Sequence, residues 1–129
     1  MADNIIRKHS FEDEKTNIGI DFDGVIHKNS KGYFDGTVYD TPIVGSKEAI
    51  KLISEKYDII IFTAKAKPDR PLINGTTGVE LVWEWLNLYG FSKYIKEVTS
   101  EKPRAVAYID DKAIKFISWD ATIKELNEI

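Results

Sequence analysis

The sequence predicts an α/β fold, with strands and helices alternating around a mostly parallel sheet. Three observations carry that expectation. Ile59-Ile60-Ile61, inside the run Tyr57 to Phe62, is continuous and β-branched, as in a strand buried on both faces of a parallel sheet. Strand-like runs alternate with segments of helical period. Three of those strands end in polar residues, Asp21 and Asp23, then Thr63, then Asp110 and Asp111. In a parallel sheet such ends converge on the carboxyl edge, where ligands bind.

The 129 residues suit one domain with a real core. An apolar fraction of 43% beside 30% charged is ordinary for a globular protein. A net charge of −3 argues against a generally basic nucleic-acid-binding surface. With no cysteine there is no disulfide framework and no thiolate chemistry, which fits a reducing, cytoplasmic location. Residues 1–17 alternate charges and do not read as a signal peptide. No apolar run approaches the ~18 residues of a membrane helix, so no membrane partner is expected.

In chain order, residues 1–16 are polar, anchored only by Ile5, Ile6 and Phe11, and read as an N-terminal arm; residues 17–129 form the domain. Ile18 to Ile20 is a short apolar strand running into Asp21-Phe22-Asp23-Gly24. Residues 24–40, rich in Gly, Asn, Ser and aromatics, read as a loop or small hairpin. Ala49, Ile50, Leu52 and Ile53 have helical spacing, with Ser46 as the expected N-cap. The strand at Tyr57 to Phe62 ends at Thr63, and a long loop with two prolines and two glycines follows. Val79, Val82, Trp83 and Leu86 mark a helix stopping near Gly90. Leu81, Trp85 and Leu88 make it apolar nearly all round, which is compatible with a homodimer. Ile95 to Thr99 reads as a short strand and Ala105 to Ile109 as a better one. A further strand at Phe116 to Trp119 and a helix from Asp120 close the chain.

Four aspartates at one edge repel one another, and such a cluster is stable mainly when a cation neutralises it. The candidate ligands are all oxygens, which suits Mg²⁺ rather than Zn²⁺. An aspartate beside such an ion can attack phosphorus and form an acyl phosphate. A second aspartate two residues on can protonate the leaving oxygen and then activate water. A hydroxyl and an ammonium would hold the transferring phosphoryl oxygens.

The string Asp21-Phe22-Asp23-Gly24-Val25-Ile26 resembles the first motif of the haloacid dehalogenase superfamily. Ile59 to Thr63 is similar to its second motif, and Tyr108-Ile109-Asp110-Asp111 to its acidic fourth. The three stand in the family's order and span most of the chain. The resemblance implies a single three-layer, Rossmann-like domain of that type. It implies Asp21 as nucleophile, Asp23 as general acid and base, and Thr63 as a phosphate ligand. Mg²⁺ would be held by Asp21, Asp110, the Asp23 backbone carbonyl, and Asp111 directly or through water. For the family's lysine the best match is Lys102, only eight residues before Asp110, with Lys93 and Lys96 behind it. The family's large cap domain has no room here, because about forty residues separate Asp23 from Thr63 and include a core helix. An open site of that kind accepts a larger substrate or relies on a partner subunit to cover it.

Other residues read two ways. Lys65, Lys67 and Arg70 fit a polyanion grip or a solvated loop face equally well. Lys28, Lys31, Tyr33 and Phe34 either contact the leaving group or anchor the flap. His27 reads as incidental and His9 as without role; Trp83 and Trp85 read as core or subunit contacts. The leading expectation is hydrolysis of a phosphomonoester, on a nucleotide, a sugar phosphate or a nucleic-acid 3′-phosphate end. The alternatives are a phosphoacceptor signalling domain and a non-catalytic module. The first is opposed by motif order, since receivers place the adjacent acid pair first. The second is opposed by the intact Asp21 and Asp23.

Overall fold

The computed structural model describes residues 16–129. The expected arm therefore lies outside the described residues, His9 with it, except for Thr16, whose carbonyl accepts the Asp58 N–H at 2.9 Å. The described chain runs β1 (Asn17–Asp21), α1 (Ser46–Ser54), β2 (Asp58–Phe62), α2 (Gly78–Leu88), β3 (Ile95–Thr99), β4 (Ala107–Ile109) and α3 (Trp119–Asn127). The four strands form one sheet in the order β3-β2-β1-β4, every pair parallel. The α/β class expected from the sequence is therefore the observed one. None of the helices among the described residues is long and apolar enough to cross a membrane.

Parallel neighbours need crossovers, and α1 and α2 supply them. One face of the sheet carries Ile18, Ile20, Ile59 and Ile61, and these join Ile50 of α1 and Val82, Trp85 and Leu86 of α2 in one buried cluster. Ile60, on the other face, is also fully buried. On that face a Cβ at Gly19 would collide with the ring of Tyr108, so glycine there lets the ring cross the sheet. α2 begins with a capping box: Thr77 Oγ1 accepts from the Glu80 N–H, and Glu80 Oε1 accepts from the Thr77 N–H. It ends at Gly90, whose φ of 80° lets the chain reverse and the Phe91 N–H reach the Leu86 carbonyl at 2.8 Å.

Three local expectations are corrected. The cap of α1 is Gly45 (φ 89°), with Ser46 the first helical residue, because the turn after Pro42 needs a left-handed residue. The strand at 105–109 is shortened to Ala107–Ile109. Residues 116–119 make no strand: Phe116 and Ile117 are exposed, and Ser118 Oγ accepts the Ala121 N–H to start α3 one residue early, at Trp119. The segment from 24 to 45 is a pinned flap. Lys28 N–H bonds the Thr41 carbonyl, Ile43 N–H bonds the Ile26 carbonyl, and the Trp85 indole donates to the Asp40 carbonyl at 2.8 Å.

Candidate active site

Strand register places the acids. Ile20 pairs with Ile109 and Asp21 with Phe62, so Asp110 is level with Asp21 and Thr63 lies one step past it. Beyond Asp21 the chain turns tightly: the Val25, Ile26 and His27 N–H groups all point at the Phe22 carbonyl, and the Phe22 ring is fully buried. This turn aims Asp21 and Asp23 along the carboxyl edge. Gly24 sits in it with φ 84°, and any Cβ there would collide with the Asp111 carboxylate.

The carboxylates of Asp21, Asp110 and Asp111 each offer an oxygen, and all three lie within 4.8 Å of one another. Oxygens across an Mg²⁺ ion with bonds near 2.1 Å stand about 4.2 Å apart. Neighbouring oxygens on such an ion stand only about 3.0 Å apart, so the donor set could take a small hard cation once the three carboxylates draw together. Burial pushes the Asp21 carboxyl up to about 6, against the pull of the Phe22 N–H at 2.7 Å, and the charges of Asp110, Asp111 and Asp23 push the same way.

Asp23 differs. Its carboxylate is outside this triad and is held by two other groups. His27 Nδ1 is 2.8 Å from Oδ1, and Lys65 Nζ is 3.2 Å from Oδ2. Burial raises this carboxyl too, but the His27 hydrogen bond and the Lys65 ammonium outweigh it and hold Asp23 below the ordinary carboxylate range. Lys65 is brought in by a 3-10 turn at Ala64–Ala66, where Thr63 Oγ1 accepts the Lys65 N–H at 3.2 Å. Gly78, the first residue of α2, makes room: a Cβ there would overlap the Lys65 carbonyl.

Asp21, Asp23, Thr63 and Asp111 line a cleft of about 560 Å³, together with Lys28, Asn29 and Gly32 of the flap and Lys112. That volume is in the range of small-molecule sites. Five of the six site residues expected from the sequence thus meet at one edge. Lys102 does not. Its ammonium lies 4.2 Å from the centre of the Tyr108 ring, whose hydroxyl donates to the Pro103 carbonyl and folds this segment back along the sheet. Lys93 and Lys96 stand at the start of β3, Lys96 at 3.6 Å from Asp58. Lys65 and His27 are the residues that sequence reasoning undervalued. The signal for Lys65 was its place two residues past a Thr-terminated strand, between two alanines. For His27 it was the i, i+4 spacing from Asp23. Compared with known proteins, the chain matches no family model, no curated protein and no solved structure.

Proposed function

We propose that the chain is an Mg²⁺-dependent phosphohydrolase that cleaves phosphomonoesters through an aspartyl-phosphate on Asp21. The carrying observation is the division of labour between two carboxylates two residues apart. Asp21 shares an acidic triad with Asp110 and Asp111 that could take a hard cation, while Asp23 is separately held by His27 and Lys65. Asp21 would attack phosphorus as the bond to the leaving oxygen breaks, and Asp23 would place a proton on that oxygen. In the second half, water attacks the acyl phosphate and Asp23 takes its proton, releasing phosphate and restoring Asp21. The state in which Asp23 is held, a paired carboxylate, suits that second half best.

Thr63 Oγ1 keeps a hydrogen to offer a phosphoryl oxygen while it accepts from Lys65 N–H. When bound, Mg²⁺ would be held by Asp21, Asp110 and Asp111 and would offset charge on the transferring group. On this reading the domain is a three-layer, Rossmann-like member of the haloacid dehalogenase type without a large cap, with which the parallel sheet and three helices are compatible. The flap and Lys112 would take the leaving group, on a small molecule or a nucleic-acid end.

The test is a screen of phosphorylated metabolites and of 3′- and 5′-phosphorylated oligonucleotides with Mg²⁺, with Asp21→Asn as the blank. Rapid-quench trapping with an activated aryl phosphate then separates the pair. Asp21→Asn should form no phosphoenzyme. Asp23→Asn should phosphorylate Asp21 and stall, because the aryl leaving group needs no proton but water still needs a base. A labelled phosphoenzyme in Asp21→Asn, or full turnover in Asp23→Asn, would reverse the assignment.

A further inference from the structure

His27 is fully buried, and both of its ring nitrogens are engaged. The backbone N–H of Asp40 points at Nε2, at 3.0 Å. A backbone amide can only donate, so Nε2 presents its lone pair and the ring hydrogen resides on Nδ1. Nδ1 lies 2.8 Å from Asp23 Oδ1, so that hydrogen is aimed at the site carboxylate. The ring cannot turn away. It stacks on Phe22 with centroids 5.4 Å apart and is met edge-on by Trp85 at 5.6 Å and Tyr39 at 5.3 Å.

Asp40 is itself fixed. Its carbonyl accepts the Trp85 indole N–H, and its carboxylate accepts from the Ser30 N–H and hydroxyl and from the Thr41 N–H. A connected path therefore runs from the core helix α2 through Trp85, the flap backbone at Asp40 and the His27 ring to Asp23.

We propose that His27 is a positioning residue that fixes the orientation of the Asp23 carboxylate, its tautomer set by the flap through the Asp40 N–H. With Oδ1 tied to the imidazole and Oδ2 to Lys65, Asp23 has one available rotamer, and the flap's register determines it. The part of this claim that concerns chemistry rests on the phosphohydrolase reading; the part that concerns geometry does not.

Two measurements test it. In the ¹⁵N-labelled chain, long-range nitrogen–proton correlations of the imidazoles should show His27 with a protonated Nδ1 and a bare Nε2, and His9 serves as the internal comparison. A His27 ring protonated on Nε2 overturns the proposal whatever the chain catalyses. For kinetics, His27→Leu removes both hydrogen bonds at similar volume, while His27→Asn keeps an N–H donor near the Nδ1 position. His27→Leu should lower kcat about 10–100-fold, the usual cost of losing a group that orients a site ligand, with KM within about twofold. His27→Asn should recover much of that loss. If His27→Leu does not fold, His27→Asn and the wild-type spectrum still decide. Equal kcat in wild type and His27→Leu, or no recovery in a folded His27→Asn, overturns positioning. A wild type with the Nδ1–H tautomer but no turnover on any phosphomonoester supports the geometry and removes the phosphohydrolase reading instead.

Discussion

The two sides of the cleft solve the same electrostatic problem in opposite ways. On the closed side, Asp23 is neutralised from within: a lysine and a histidine, each at most 5% exposed, grip its two oxygens. On the open side, Asp21, Asp110 and Asp111 face one another, and among the described residues no ion pair reaches them. The closed side is built from β1, β2 and α2, whose residues make the core, while β4, which leads to the acid pair, is exposed along its length. A carboxylate with built-in partners keeps its charge and its place. Carboxylates without them shed the repulsion by taking up a proton or an added cation, and on the proposed reading that cation is Mg²⁺.

The largest expected effect comes from exchanging the two lysines. Lys65→Met should cost about 1–3 kcal/mol of stability, below the ~3–5 kcal/mol for breaking a fully buried pair because Asp23 is a quarter exposed, at 26%. It should also lower turnover at least ~10-fold through the loosened Asp23. Lys102→Ala should change neither beyond about 0.5 kcal/mol or twofold, as for a surface position. Urea unfolding and steady-state kinetics on both variants check this. The reverse ranking would return the catalytic cation to Lys102.

The contrast between those lysines also shows what the sequence made legible. The strands ending in Asp21, Thr63 and Asp110 were visible because an apolar run that stops at an acid or hydroxyl needs no tertiary information, and parallel pairing then forces the ends together. The lysine was not visible, because lysines in loops are nearly always solvated. A 3-10 turn tied by Thr63 Oγ1 and the close approach of Gly78 to the Lys65 carbonyl, 13 residues apart in sequence, hold that loop inward. His27 failed for a related reason: its partner Asp40 is 13 residues on, across a flap whose composition spoke only of turns. The strand expected at Phe116 to Trp119 rested on side chains alone; the segment joins neither edge of the sheet, and Ser118 Oγ instead accepts the Ala121 N–H to open α3.

The open side can be titrated. Asp21 has its carboxyl raised from 3.8 to about 6 in the folded, metal-free chain, so folding favours its protonated form. The unfolded chain releases that proton earlier as pH rises. Stability is therefore highest below the unfolded value and is lost as pH climbs from about 4 through 6. The shift corresponds to about 3 kcal/mol at most, and the partial exposure of Asp21 reduces this to about 1–2 kcal/mol. In EDTA, Asp21→Asn should thus raise the melting temperature at pH 8 and leave it unchanged at pH 4. Mg²⁺ should stabilise the wild type at pH 8 and do little at pH 4.5, where the proton competes for Asp21. A wild type indifferent to Mg²⁺ at pH 8 would mean that the acids tolerate one another without a cation.

The smallest expected effect lies at the mouth of the cleft, where the two sides meet. Lys28 comes from the flap on the closed side and Lys112 from the turn after Asp111 on the open side; both line the cleft, and neither ammonium is in an ion pair among the described residues. If the proposed reading holds, these two cations would act on whatever anionic group the leaving portion carries. Each is solvent-screened, so one such contact is worth about 0.5–1 kcal/mol, or roughly two- to fivefold. Lys28→Ala and Lys112→Ala should each raise KM by that factor for a substrate with a second phosphate, such as a nucleoside bisphosphate or a phosphorylated oligonucleotide end. They should leave kcat unchanged and should not alter KM for a simple aryl phosphate. The excess KM should shrink as salt rises from 50 to 500 mM, because screening removes the wild-type advantage. A change in kcat for either variant would mean that the cation touches the transferring group, and would move it from the mouth of the cleft into the chemistry.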